Sequence, residues 1–163
     1  MRRPPTRVTA WIAVTAGAAL ALGGCSSGDD DATPAACLAP ADDYVEALDA
    51  APGEVLLGGE TPISECLVGG QSPAELAEAG ESMIEAATEL NAAARRDPAG
   101  DDTLRLGYLV GAVQKGAAET GGIHADLVRR LDAAARFAPE GKRLPVSFER
   151  AFGEGYAAGQ ANG

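Results

Sequence analysis

Apolar residues recur along most of the chain at helical spacing. After Ser72, the positions Leu76, Met83, Ala87, Leu90 and Ala94 fall on one face at 100° per residue, while Glu75, Glu78, Glu81, Glu85 and Glu89 fall on the opposite one. Ser72-Pro73-Ala74-Glu75 opens this segment with a cap, a proline at the first position and a glutamate at the third. The helix runs to about Arg96, where two arginines meet its negative end and Pro98 lies just beyond. A second stripe of Leu106, Val110, Val113 and Ala117 predicts a helix capped by Asp101 or Asp102 and ending about Thr120. Gly107 and Gly111 lie near a different edge of it. Each costs up to about 1 kcal/mol in a helix and is tolerable where another backbone packs closely. Gly121-Gly122 breaks the chain, and Ile123, Leu127, Leu131 and Ala134 predict a further helix from about Ile123 to Phe137. Residues 139–145 form a connector, after which Ser147 caps a last helix to about Gln160. Phe148, Phe152 and Tyr156 stand four apart on it, an aromatic row suited to docking on a core.

Upstream of Ser72 the pattern is weaker. Pro40 to about Ala51 reads as a short helix, with Asp42, Asp43 and Glu46 early and Pro52-Gly53 as its stop. Residues 53–71 hold the apolar run Val55-Leu56-Leu57 between glycine-rich turns, which fits a strand stub or a buried loop. Four to five helices with short connectors imply an all-α fold, a small antiparallel helical bundle.

The first 24 residues follow a different plan. Arg2, Arg3 and Arg7 give a positive start, Val8–Leu22 is an apolar run, and small residues precede Cys25. This is the layout of a secretory signal. As a helix the run spans roughly 22 Å, short of the ~30 Å hydrocarbon core. Leu22-Gly23-Gly24-Cys25 resembles the lipobox of bacterial lipoproteins: an aliphatic residue, two small residues and the cysteine. The resemblance covers residues 1–25 and implies that Cys25 receives a diacylglyceryl thioether and becomes the first residue after cleavage. It further implies membrane lipid as a partner, through acylated Cys25, and the extracytoplasmic face of the cell membrane as the location. The rest of the chain resembles no functionally defined family. Residues 25–36 would then be the lipidated cysteine and a flexible acidic tether, polar and proline-containing with nothing to bury. Residues 37–163 would form the helical domain.

Cysteine arithmetic follows from that address. Cys37 and Cys66 are the two thiols left, and an oxidising compartment predicts a disulfide between them. Charge adds a second constraint. The chain carries 13 bases against 24 acids. The signal removes three of the bases and none of the acids, so the mature charge is −14. That excludes a basic nucleic-acid binder. The imbalance is lopsided, with fifteen acids and no Lys or Arg between Cys25 and Leu90. Such a molecule can orient on a surface or attract a cationic partner, unless the basic helices pack beside the acidic ones and neutralise them.

The search for catalytic chemistry ends early. His124 is the only histidine, so triad chemistry would have to pass through it, and no GxSxG elbow accompanies it. A neutral imidazole with a satisfied hydrogen bond is the simpler reading. Zinc needs three or four ligands, which one histidine and two bonded cysteines do not supply. Asp29-Asp30-Asp31 lacks the alternation and glycine of a calcium loop. Gly153-Glu154-Gly155 and Gly159 mimic a nucleotide-binding glycine fingerprint, but no strand precedes them. The sequence therefore implies no metal, no cofactor and no enzyme. It points to a lipid-anchored domain for protein interaction or envelope support, with an envelope protein as partner. The alternative is a carrier of a small ligand in a cavity between helices, for which His124, Tyr108 and Tyr156 are the candidate lining.

Overall fold

The computed structural model describes residues 32–137 and 143–163. The described residues are all-α but for one two-stranded ladder, with five helices: α1 Ala41–Ala47, α2 Pro73–Ala94, α3 Asp101–Ala118, α4 Ala125–Ala134 and α5 Val146–Asn162. Cys25 and the signal segment lie outside the described residues, as does most of the connector at 138–142.

The start of α2 follows the expected chemistry. The Glu75 N–H donates to Ser72 Oγ at 3.3 Å, while Glu75 Oε2 accepts from the Ser72 N–H at 3.0 Å and from its hydroxyl at 2.6 Å. These bonds satisfy the free ends of the first turn and hold the Glu75 carboxyl below its ordinary range, the Ser72 hydroxyl contributing most. Other boundaries shift. Gly100, not Asp101 or Asp102, occupies the cap position of α3; the two aspartates sit inside the first turn, where their charge faces the positive helix end. Pro145, not Ser147, precedes α5, because its fixed φ already suits a helix entry. The α-helical part of the 40–51 segment stops at Ala47 and tightens into a 3-10 turn over Leu48–Ala50. Gly121 and Gly122 adopt φ of 64° and 93°, a left-handed turn that delays α4 to Ala125. Ile123 thus falls outside the helix and is 49 % exposed, while Leu127, Leu131 and Ala135 carry the buried stripe.

Residues 53–71 contain elements of both readings. Leu56–Leu57 (β1) pairs antiparallel with Thr61–Pro62 (β2) around left-handed Gly58 and Gly59, and a 3-10 turn follows over Ile63–Cys66. Val55, Leu57, Ile63 and Cys66 are buried, so this small ladder closes one side of the core. The disulfide joins Cys37 to Cys66 with Cα atoms 5.4 Å apart. It ties this cap to a 3-10 turn over Ala35–Leu38, which takes up residues expected in the tether; Ala36 packs against the core.

α3 is the centre of the molecule. Every residue from Leu106 to Val113 is buried, so the helix is covered on all sides rather than along one stripe. α5, α2, α4 and the turns at Ile63–Cys66 and Leu48–Ala50 surround it. Successive long helices alternate in direction, which makes α3 and α5 parallel: Gly107 meets Phe152 and Tyr156, and Gly111 meets Tyr156 and Gln160. A Cβ on Gly107 or Gly111 would run into the Phe152 or Tyr156 carbonyl. One on Gly155 or Gly159 would run into that of Leu104 or Tyr108. Four glycines, two per helix, let these backbones touch. The Gly155–Gly159 spacing that mimics a phosphate loop is therefore a packing device, and the close approach anticipated at Gly107 and Gly111 is present.

Candidate functional site

The three aromatic or imidazole candidates separate in space. Tyr108 is fully buried in α3, and its hydroxyl accepts from the Val55 N–H at 3.3 Å. Burial pushes its phenol up. His124 is also fully buried, at the turn between α3 and α4. Its Nε2 lies 2.9 Å from Gln71 Oε1, an atom that only accepts, so Nε2 carries the proton. Nδ1 lies 2.7 Å from the Thr120 hydroxyl, whose proton it shares with the Ala117 carbonyl at 2.9 Å. Gln71 Nε2 in turn donates to the Cys66 carbonyl at 3.2 Å. Burial holds the imidazole below its ordinary value. Both side chains are internal fasteners, their polar atoms bonded inside the fold, and neither borders the groove described next. The reading of His124 as a satisfied core residue holds.

Tyr156 does line one. Between α3, the end of α4 and α5 runs an open groove of about 570 Å³. Val110 and Gln114 of α3 form its floor, Asp132, Ala135 and Arg136 one bank, and Phe148, Glu149, Phe152 and Tyr156 the other. Phe137 and Leu144 close the end nearest the connector. The chain has only three phenylalanines, and all of them are here. Their rings are contiguous: Phe137 and Phe148 have centroids 4.4 Å apart, Phe148 and Phe152 5.6 Å apart and nearly stacked. Phe148 is buried, whereas Phe137, Phe152 and Tyr156 remain half-buried. The aromatic row of α5 therefore docks on the core with one edge and faces the groove with the other.

A polar ladder starts in the same groove and continues past it along α3 and α5. Gln114 Nε2 donates to Asp132 Oδ1 at 3.0 Å, the Tyr156 hydroxyl donates to Gln114 Oε1 at 2.7 Å, and Gln160 Nε2 donates to the Gly111 carbonyl at 2.9 Å. At the closed end, Asn91 Nδ2 donates to the Ala134 and Arg136 carbonyls at 2.7 and 3.1 Å, capping the end of α4. The Arg95 guanidinium sits 5.8 Å from the Phe137 ring centroid and donates to the Arg136 carbonyl. The sequence carried a signal for this groove in Phe137, Phe148 and Phe152, but the joining of the α4 end to the α5 row depends on tertiary placement.

Two further features lie away from the groove. The Tyr44 hydroxyl donates to the Cys37 carbonyl at 2.7 Å beside the disulfide, and burial pushes its phenol well above the ordinary range. Glu78, Glu81, Glu85 and Glu89 are half-exposed or exposed along α2, and none forms an ion pair among the described residues. Among the described residues no group of three or more His, Cys, Asp or Glu side chains could hold a metal ion, and no helix is long and apolar enough to cross a membrane. No family model, no curated protein and no solved structure matches the chain.

Proposed function

We propose that this chain is a bacterial lipoprotein whose helical domain is held on the extracytoplasmic face of the plasma membrane by acylated Cys25 and acts by binding rather than by catalysis. The observation that carries the reading is the cysteine count. Of three cysteines, Cys37 and Cys66 are consumed by the disulfide, and the third is the one at the end of Leu22-Gly23-Gly24-Cys25. A disulfide suits an oxidising compartment, and a thiol outside it suits a lipid acceptor. Partners follow from the placement: membrane lipid at Cys25 and an envelope protein at the domain, with no nucleic acid, metal or cofactor required. Mass spectrometry of the membrane-extracted protein tests the anchor. A diacylglycerol-bearing Cys25 at the N-terminus supports it; an unmodified mature start refutes it. In-situ crosslinking with identification of captured neighbours tests the partner role.

One observation favours a second reading, that of a small-ligand carrier. The aromatic groove has the size of a ligand site, within the roughly 300–1,000 Å³ range such sites occupy, and combines an apolar wall with a few aimed polar groups. Amide shift changes confined to the groove on addition of small aromatic compounds support this reading; an inert groove refutes it.

A further inference from the structure

We propose that the groove between α3, α4 and α5 binds a small organic cation, its flat apolar body against the phenylalanine wall and its ammonium group toward Asp132 and Glu149. The proposal rests on the ligand-carrier reading and gives that ligand its chemistry.

Three observations point the same way. The first is economy. Aromatic residues make up 4 % of this chain, yet every phenylalanine stands in one contiguous row, and Phe137 and Phe152 keep part of their surface in the open groove. The surface these adjoining rings leave open forms one continuous apolar wall. A flat partner on their faces would complete their burial. The second is the sign of the site. Asp132 and Glu149 border the groove, with Arg136 as the single cation among its described lining residues. Neither carboxylate has an ion-pair partner among the described residues. Asp132 Oδ1 accepts from Gln114, which orients the carboxylate beside the groove floor. The third is the wall itself. Aromatic faces attract cations, and Phe137 already holds the Arg95 guanidinium near its ring. An anion would meet two carboxylates and the negative faces of the rings against the one guanidinium of Arg136. A neutral molecule would use the wall and leave the charge unanswered.

The test uses three probes with one ring system: tryptamine, which is cationic, 3-ethylindole, which is neutral, and indole-3-propionate, which is anionic. Each is titrated calorimetrically into the purified full-length chain, and amide shifts are followed in parallel. Tryptamine is expected to bind at one site, about tenfold tighter than either analogue, and more weakly as salt rises. Its shifts should centre on Val110, Gln114 and Phe152. The near-isosteric pair D132N and E149Q keeps the Gln114 hydrogen bond available, and should remove the preference for tryptamine without moving the melting temperature. Phe152→Leu should weaken all three probes alike. Equal affinity of tryptamine and 3-ethylindole, with shifts still in the groove, overturns the cation assignment and leaves a ligand carrier standing. No groove shift with any probe overturns both.

Discussion

Fully buried His124 bridges Gln71 ahead of α2 and Thr120 at the end of α3, so one ring fastens two connections that local sequence does not hold. Burial favours its neutral form and lowers its pKa from 6.5. The unfolded chain therefore binds more protons than the folded one between the depressed value and 6.5, and stability rises with pH across that window. Above it the contribution is complete. As pH falls below 6.5 it is lost, at a rate of at most about 1.4 kcal/mol per pH unit. Urea denaturation at about pH 7.5 and pH 5.5 measures the slope, and His124→Asn should flatten it even if the variant is less stable at both. A second residue-scale outcome concerns Tyr108, whose hydroxyl is the acceptor for the Val55 N–H. Tyr108→Phe leaves that donor buried and unpaired, and should cost about 1–3 kcal/mol by the same measurement.

Among the elements, the contact of α3 with α5 is set by backbone rather than by side chains. Gly155→Ala introduces a methyl group where the Leu104 carbonyl stands, so one helix must move. Gly153 on the same helix has open space around its Cβ position. Thermal unfolding should separate them: Gly153→Ala gains up to about 1 kcal/mol from helix propensity, whereas Gly155→Ala loses about 1–3 kcal/mol as an overpacked site. The contrast also marks how far the sequence could be read. Helix starts were legible where the chemistry is local, as in the Ser72–Glu75 box, and so was the need for a close neighbour at Gly107 and Gly111. The identity of that neighbour was not, because Gly155 and Gly159 match them only once both helices are drawn side by side. Complete burial of α3 did leave a trace, since no charged residue stands between Arg105 and Lys115. The 53–71 segment stayed ambiguous because its two-residue strands are held by tertiary contacts, with little propensity of their own. Of the candidate lining residues Tyr156 borders the aromatic groove; Tyr108 and His124 share the residue types of a ligand site but spend their polar atoms on the fold.

On the scale of the whole molecule, the Cys37–Cys66 bridge closes a loop of 29 residues around α1 and the β1–β2 ladder. In the chain-entropy account that is worth about 3–4 kcal/mol, so a Cys37→Ala, Cys66→Ala variant should unfold at clearly lower urea concentration with its helical circular dichroism unchanged beforehand. Charge remains unevenly spread. Arg105 pairs with Asp49 at 2.9 Å and joins the acidic part to the basic one, but the other two ion pairs, Arg105–Asp102 and Arg129–Asp126, stay within their own helices. The glutamate row of α2 therefore faces water, and neutralisation between the two parts is limited among the described residues. The central position of α3 has the widest reach. Neither α2, α4 nor α5 can peel away without wetting the axle on which the others rest, so these helices are bound to open together. Hydrogen exchange should register this as a block of slow amides from Leu106 to Val113, exchanging last and together, at the rate of global unfolding.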